Sequence, residues 1–166
     1  MRYIYSILLY LLVPAIWLRL LWRSIKAPAY RQRMWERFAI HLPTIPSNGI
    51  WIHAVSVGEV QASIPLIKHL LHAYPQLPLI ITTTTPTGYQ HLIDSLGTRV
   101  FHIYTPYDLP SVARKFLETI QPQLAIFIET EIWPNLLHHC KQRNIPTLLA
   151  NARLSEQSAR GYAYLQ

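Results

Sequence analysis

Two apolar runs in this 166-residue chain end in glutamate: Glu59 closes WIHAVSVGE and Glu129 follows LAIFI. A carboxylate is costly to hold beside buried strands, so acids at both places point toward chemistry. Glu59 comes directly after Ser56-Val57-Gly58, at the expected start of a helix. Helix N-termini favour negative charge, which predicts a Glu59 pKa held low and an ionised carboxylate at neutral pH. Such a group at a sheet edge could take a proton from a substrate hydroxyl. The same position also suits a first-turn glutamate that only complements the helix dipole. Glu129 and Glu131 flank Thr130, and alternation along a continuing strand would put both acids on one side. Solvated loop carboxylates are the plain alternative there.

Further polar residues cluster at the ends of other apolar runs. Thr82 to Thr85 close one run and lead into Pro86-Thr87-Gly88. Their alternate hydroxyls could hydrogen-bond a sugar or phosphate, although β-branched strand residues and a helix cap explain the same string. Tyr104-Thr105-Pro106-Tyr107-Asp108 ends another run, with Asp108 placed to cap the helix that follows. Asn151-Ala152-Arg153 ends the last, where Arg153 could pair with phosphate or carboxylate or simply face solvent. The candidate substrate-binding set is therefore Ser56, Gly58, Thr84, Thr85, Thr87, Gly88, Glu131, Asn151 and Arg153. No G-x-G-x-x-G or Walker loop is present, and no G-x-S-x-G elbow surrounds Ser56. His69/His72 and His138/His139/Cys140 lack metal-site spacing with a third ligand, so no metal is expected.

The elements that must position these residues follow from apolar periodicity. Strands are expected at residues 49–55, 79–84, 100–104, 124–128 and 147–150. Helices are expected from about Gly58 to Ala73, from near Thr87, over about Leu109 to Thr119, and after Pro134, a good first-turn residue. Short apolar strands alternating with helices indicate an α/β fold, a Rossmann-like parallel sheet with flanking helices. In open sheets of this kind ligands bind at the carboxyl ends of the strands, the edge that Glu59 and Glu129 would share.

The formal net charge of +7 is unevenly spread. Residues 1–40 hold seven Lys/Arg against Glu36 alone, whereas residues 41–166 are nearly balanced. The basic character therefore describes an N-terminal segment rather than a folded face, and nucleic-acid binding is not expected. Tyr3 to Leu18 carry no charge and reach about 24 Å as a helix, short of a ~30 Å hydrocarbon core unless Arg2 and Arg19 snorkel. Aromatic residues Tyr3, Tyr5, Trp17 and Trp22 suit a membrane interface, and the basic cluster from Arg19 to Arg37 suits anionic lipids on a cytoplasmic face. No clear cleavage site supports a signal peptide, and a helix buried on the domain is the remaining alternative. The expected organisation is a membrane-anchor helix at 1–24, a basic segment and linker at 25–48, and a Rossmann-like domain at 49–166. Cys140 stands alone, which excludes an internal disulfide and suits a reducing compartment.

The strings HAVSVGEVQASIPL, TTTTPTGYQ, YTPYDLP, ETEIWPNLL and IPTLLANARLSEQSARGY, with KAPAYRQRMWERF before them, resemble the Kdo transferases of lipopolysaccharide assembly. The resemblance runs almost end to end. It implies a glycosyltransferase of two facing Rossmann-like domains, the GT-B arrangement, that moves Kdo from CMP-Kdo to a lipid A precursor. It also implies inversion, no catalytic metal and no cofactor, at the cytoplasmic face of the inner membrane. By its motifs, the SVGE glutamate, here Glu59, acts as general base, and the first glutamate of ETE-x-W-P-N, here Glu129, stabilises the transition state. Family members are more than twice as long and bind CMP-Kdo mainly through a C-terminal domain. The chain is therefore expected to be inactive until a C-terminal GT-B half is supplied. The competing reading is a non-catalytic, membrane-associated module that binds a lipid or partner.

Overall fold

Residues 2–152 are described by a computed structural model. Five short strands form one sheet: β1 (Ile50–His53), β2 (Leu79–Thr83), β3 (Phe101–Tyr104), β4 (Leu124–Ile128) and β5 (Thr147–Ala150). Every pairing is parallel and the spatial order is β3-β2-β1-β4-β5. Four helices follow the first four strands in turn: α2 (Val57–Ala73), α3 (Pro86–Leu96), α4 (Pro110–Ile120) and α5 (Pro134–Gln142). They are preceded by α1 (Arg2–Lys26). The alternation expected from the sequence is present, with element ends shifted by a few residues. Prolines account for three of those ends, since Pro86, Pro110 and Pro134 each open a helix where the missing N–H costs nothing.

The sheet is covered on both faces, which explains why its strands are almost uniformly apolar. Ile50 and Ile52 face a cluster containing Val60, Ile67 and Leu92 from α2 and α3. Trp51, between them, faces the opposite cluster with Phe116 of α4 and Leu136 of α5. Gly49 enters β1 so close to its neighbour that a Cβ would lie 2.4 Å from the Pro78 carbonyl oxygen, so only glycine fits. The chain runs outward from β1 through β2 to β3, then returns to build β4 and β5 on the other side. That reversal between β1 and β4 opens a crevice at their carboxyl ends, the usual ligand site of doubly wound sheets.

The N-terminal segment is more than a tether. Beyond α1, two 3₁₀ turns (Pro28–Tyr30 and Met34–Phe38) fold over edge strand β3. Glu36, buried there, accepts the Tyr104 backbone N–H at 3.0 Å and the Arg33 guanidinium at 2.6 Å. Arg33 also donates to the His102 carbonyl. These side chains occupy β3 groups that would otherwise offer an open edge to another strand. Trp17 of α1 stacks on Phe38 with ring centroids 4.9 Å apart, and the Ser6 hydroxyl donates to Asn135 Oδ1 at 3.1 Å. The helix thus lies along the domain, with Leu9, Val13 and Leu20 also packed inward, and leaves Ile4, Ile7, Leu8, Leu11 and Leu18 exposed.

Candidate active site

At the carboxyl edge of the sheet, β1 ends at His53 and its chain turns through Ser56 into α2. Ser56 is the helix cap: its Oγ accepts the Glu59 N–H at 3.3 Å and donates to Glu59 Oε1 at 2.7 Å. Glu59 Oε2 accepts the Val55 N–H at 2.7 Å. The S-x-x-E string is thus a reciprocal capping arrangement that fixes the carboxylate rotamer. Gly58 sits exposed beside it, and a Cβ there would meet nothing closer than Ser56 Oγ at 3.9 Å. The fold itself makes no steric demand for glycine at that position.

Glu59 is buried, and desolvation raises its pKa above the usual carboxylate value. The bonds from Ser56 and Val55 oppose that shift, while the nearby charges of Glu131 and Glu129 add to it. The expectation of a pKa held low by the helix end is therefore corrected: loss of water outweighs the favourable bonds. Glu131 and Glu129 are thus close enough to act on Glu59 electrostatically. β1 and β4 are neighbours in register, His53 opposite Phe127, so their carboxyl ends emerge side by side.

Glu129 does not continue the strand. Its φ of 60° places it in the left-handed region, and its N–H bonds to the Ala150 carbonyl at 2.8 Å as the chain turns away. Strand alternation therefore does not set the directions of Glu129 and Glu131. Glu131 is instead oriented by Trp133, whose Nε1–H donates to Oε2 at 2.7 Å. Trp133 in turn meets the His53 ring edge-on at 5.3 Å. His53 is wholly buried, and burial pushes its pKa down to about 3, so it is a neutral floor to the crevice. Sequence reading missed it, although a histidine inside the apolar run before SVGE was the available signal.

The threonines serve mainly to knit the loops together. Thr84 donates its hydroxyl to the Val55 carbonyl at 2.6 Å, binding the β2 loop to the β1 loop. Thr85 caps α3 by accepting the Gly88 N–H at 3.0 Å, and the Thr87 hydroxyl donates to Thr85 Oγ1 at 3.3 Å. A Cβ on Gly88 would lie 3.1 Å from that same oxygen. Asn151, exposed just past β5, is on the same edge, and Arg153 lies outside the described residues. Asp108 caps a different helix from the expected one. Its carboxylate accepts the N–H groups of Asn135 at 3.0 Å and Leu136 at 2.7 Å, at the start of α5, whereas α4 has no side-chain cap.

Residues 32–166 match the family described as 3-deoxy-D-manno-octulosonic-acid (Kdo) transferase, a span that includes every strand and the whole acid crevice. The chain belongs to the Kdo transferase family. It is 44% identical over 167 residues to the 3-deoxy-D-manno-octulosonic acid transferase of Haemophilus influenzae, covering 99% of this chain and 39% of that one. The corresponding Bordetella pertussis protein is 33% identical, with 99% of this chain and 40% of the relative covered. The Chlamydophila psittaci protein is 28% identical, with 89% and 35% covered. The chain thus spans well under half the length of these Kdo transferases, and it matches their N-terminal part.

Proposed function

We propose that this chain is the acceptor-side half of a Kdo transferase that moves Kdo from CMP-Kdo to a lipid A precursor, with Glu59 as general base. The observation that carries the reading is the buried Glu59 carboxylate at the β1/β4 crevice, its proton affinity raised by burial and by two neighbouring acids. A carboxylate with raised pKa is a stronger base near neutral pH than an ordinary surface glutamate. The acceptor hydroxyl oxygen attacks the anomeric carbon of Kdo as the bond to the CMP phosphate breaks. The phosphate leaves with the bonding electron pair, and the hydroxyl proton passes to Glu59. One such displacement inverts the anomeric centre, as in inverting glycoside hydrolysis with a sugar hydroxyl in place of water. The phosphate leaving group needs little acid assistance, so one base is the main requirement. Glu129 faces the positive charge that develops on the sugar ring. The donor nucleotide is held by a second Rossmann-like domain in a GT-B pair, corresponding to the length of the relatives that this chain does not cover.

The exposed apolar side of α1 supports a seat on the membrane. Its contacts with the domain run from Arg2, bonded to Asn135, to Arg23, stacked on Tyr30, so the helix lies along the domain surface. We place it flat in the headgroup region of the inner membrane, on the cytoplasmic side, with its basic end against anionic lipids.

Mixing the chain with a separately expressed C-terminal half of a relative, CMP-Kdo and lipid A precursor should yield a Kdo–lipid product. Glu59→Gln should reduce turnover by about 100-fold or more while leaving the fold intact. No product from a folded pair, or near-normal turnover by Glu59→Gln, would overturn the assignment.

A further inference from the structure

Next to the acids, and bordered by Thr84, Thr85 and Trp133, lies a polar pocket of about 250 Å³ whose lining includes Arg19, Arg23, Tyr30, Arg37, Thr105 and Tyr107. Arg37 is only 4% exposed and Thr105 only 3%. One Arg37 nitrogen donates to the Thr84 carbonyl at 2.9 Å, but Arg37 Nε and Thr105 Oγ1 are buried with no partner. A desolvated guanidinium with an unused donor is costly unless an acceptor arrives to fill it.

No carboxylate in the described residues does so. Both Glu36 oxygens are taken by Arg33 and the Tyr104 N–H, and neither of the two ion pairs among the described residues includes Arg19, Arg23 or Arg37. Aromatic rings hold two of the cations in place. Arg23 lies 4.8 Å from the Tyr30 centroid and Arg37 lies 4.5 Å from that of Tyr104. Arg19 and Arg23 are one turn apart on α1, with buried Leu20 fastening that turn to the domain. All three guanidiniums line the one pocket together with Tyr107, on whose hydroxyl they act electrostatically.

We propose that this pocket binds a phosphate monoester, with α1 forming one wall of the site. Three uncompensated guanidiniums match a dianion better than a single carboxylate. Their planar N–H groups suit tetrahedral oxyanions, and Thr105 supplies a further hydroxyl. The site does not depend on Glu59 being a base, because its cations come from α1 and the 3₁₀ turns and Glu59 is not in its lining, which the loops after β2, β3 and β4 complete.

The test uses the full chain with two probes, inorganic phosphate followed by thermal shift, and vesicles followed by co-sedimentation. The vesicles carry either phosphatidic acid, a monoester, or phosphatidylglycerol, a diester, at matched surface charge. Phosphate should raise Tm, since it binds only the folded pocket. The exposed pair Arg19→Gln/Arg23→Gln should weaken phosphate binding by at least ~10-fold, because two charge-assisted contacts are lost. Lys26→Gln/Arg31→Gln removes equal charge outside the lining and should leave binding intact. Preference for the monoester vesicles, abolished only by the first pair, assigns the group to a lipid. A response to inorganic phosphate without vesicle preference supports the site and assigns it to a soluble phosphate. Equal losses in the two pairs, or no response to either probe, would overturn the proposal. Glu59→Gln should retain phosphate binding while losing transfer, so failure of the pocket and failure of the base assignment read out separately.

Discussion

At the residue scale, the decisive property is the environment of Glu59 rather than its presence. Its raised proton affinity comes first from burial, with Glu131 and Glu129 adding to it. Glu131→Gln removes one like charge, which favours ionised Glu59 and lowers its pKa. The acid limb of the kcat/KM profile of the reconstituted enzyme should therefore move to lower pH. An unmoved limb would show that the two acids do not communicate. The string SVGE was readable as helix start plus acid. The desolvation that reverses its pKa was not, because it depends on how closely the loops after β1 and β4 approach.

At the element scale, Asp108 shows how a cap chooses its helix. From its position it should serve α4, two residues on, yet its carboxylate reaches across to the exposed N–H groups of α5. Asp108→Ala should lower stability by about 1–2 kcal/mol, measured by denaturant unfolding, and the loss should track α5. Burial raises the Asp108 pKa from 3.8 to about 6, so between these values the folded state binds more protons than the unfolded state. Its contribution to stability is therefore complete below pH 4 and falls as pH rises through about 6. Tm measured across that range should show the decline in wild type and lose this component in Asp108→Ala. The strands were legible because a parallel sheet buried on both faces demands apolar residues at every position. The segment after α1 was less so: Glu36 and Arg37 fall in the expected basic segment and linker, whose cations were expected to meet anionic lipids, although both are buried, with Glu36 and Arg33 securing the β3 edge.

At the scale of the whole molecule, α1 meets the domain through a mixed face, with Ser6 and Ser24 beside Leu9, Val13, Trp17 and Leu20, and turns a second apolar face outward, unlike an ordinary surface helix. Ser6 and Ser24 are buried, whereas Leu8 and Leu11 are 54% and 73% exposed. That arrangement is favourable when lipid rather than water meets the outer face. Leu8→Glu/Leu11→Glu should abolish flotation with anionic vesicles while leaving the circular dichroism of the domain unchanged. Retained flotation would place membrane contact elsewhere on the chain.

The amino-acid order alone determined the strand–helix alternation, the acids at two strand ends and the family, because each is written in local periodicity or in contiguous strings. Only the tertiary structure decided that β1 and β4 are neighbours, that Glu59 loses water, and that Arg19, Arg23 and Arg37 close around one pocket. Those outcomes depend on contacts between residues distant in the chain, whose electrostatics change with burial in ways that no local pattern records.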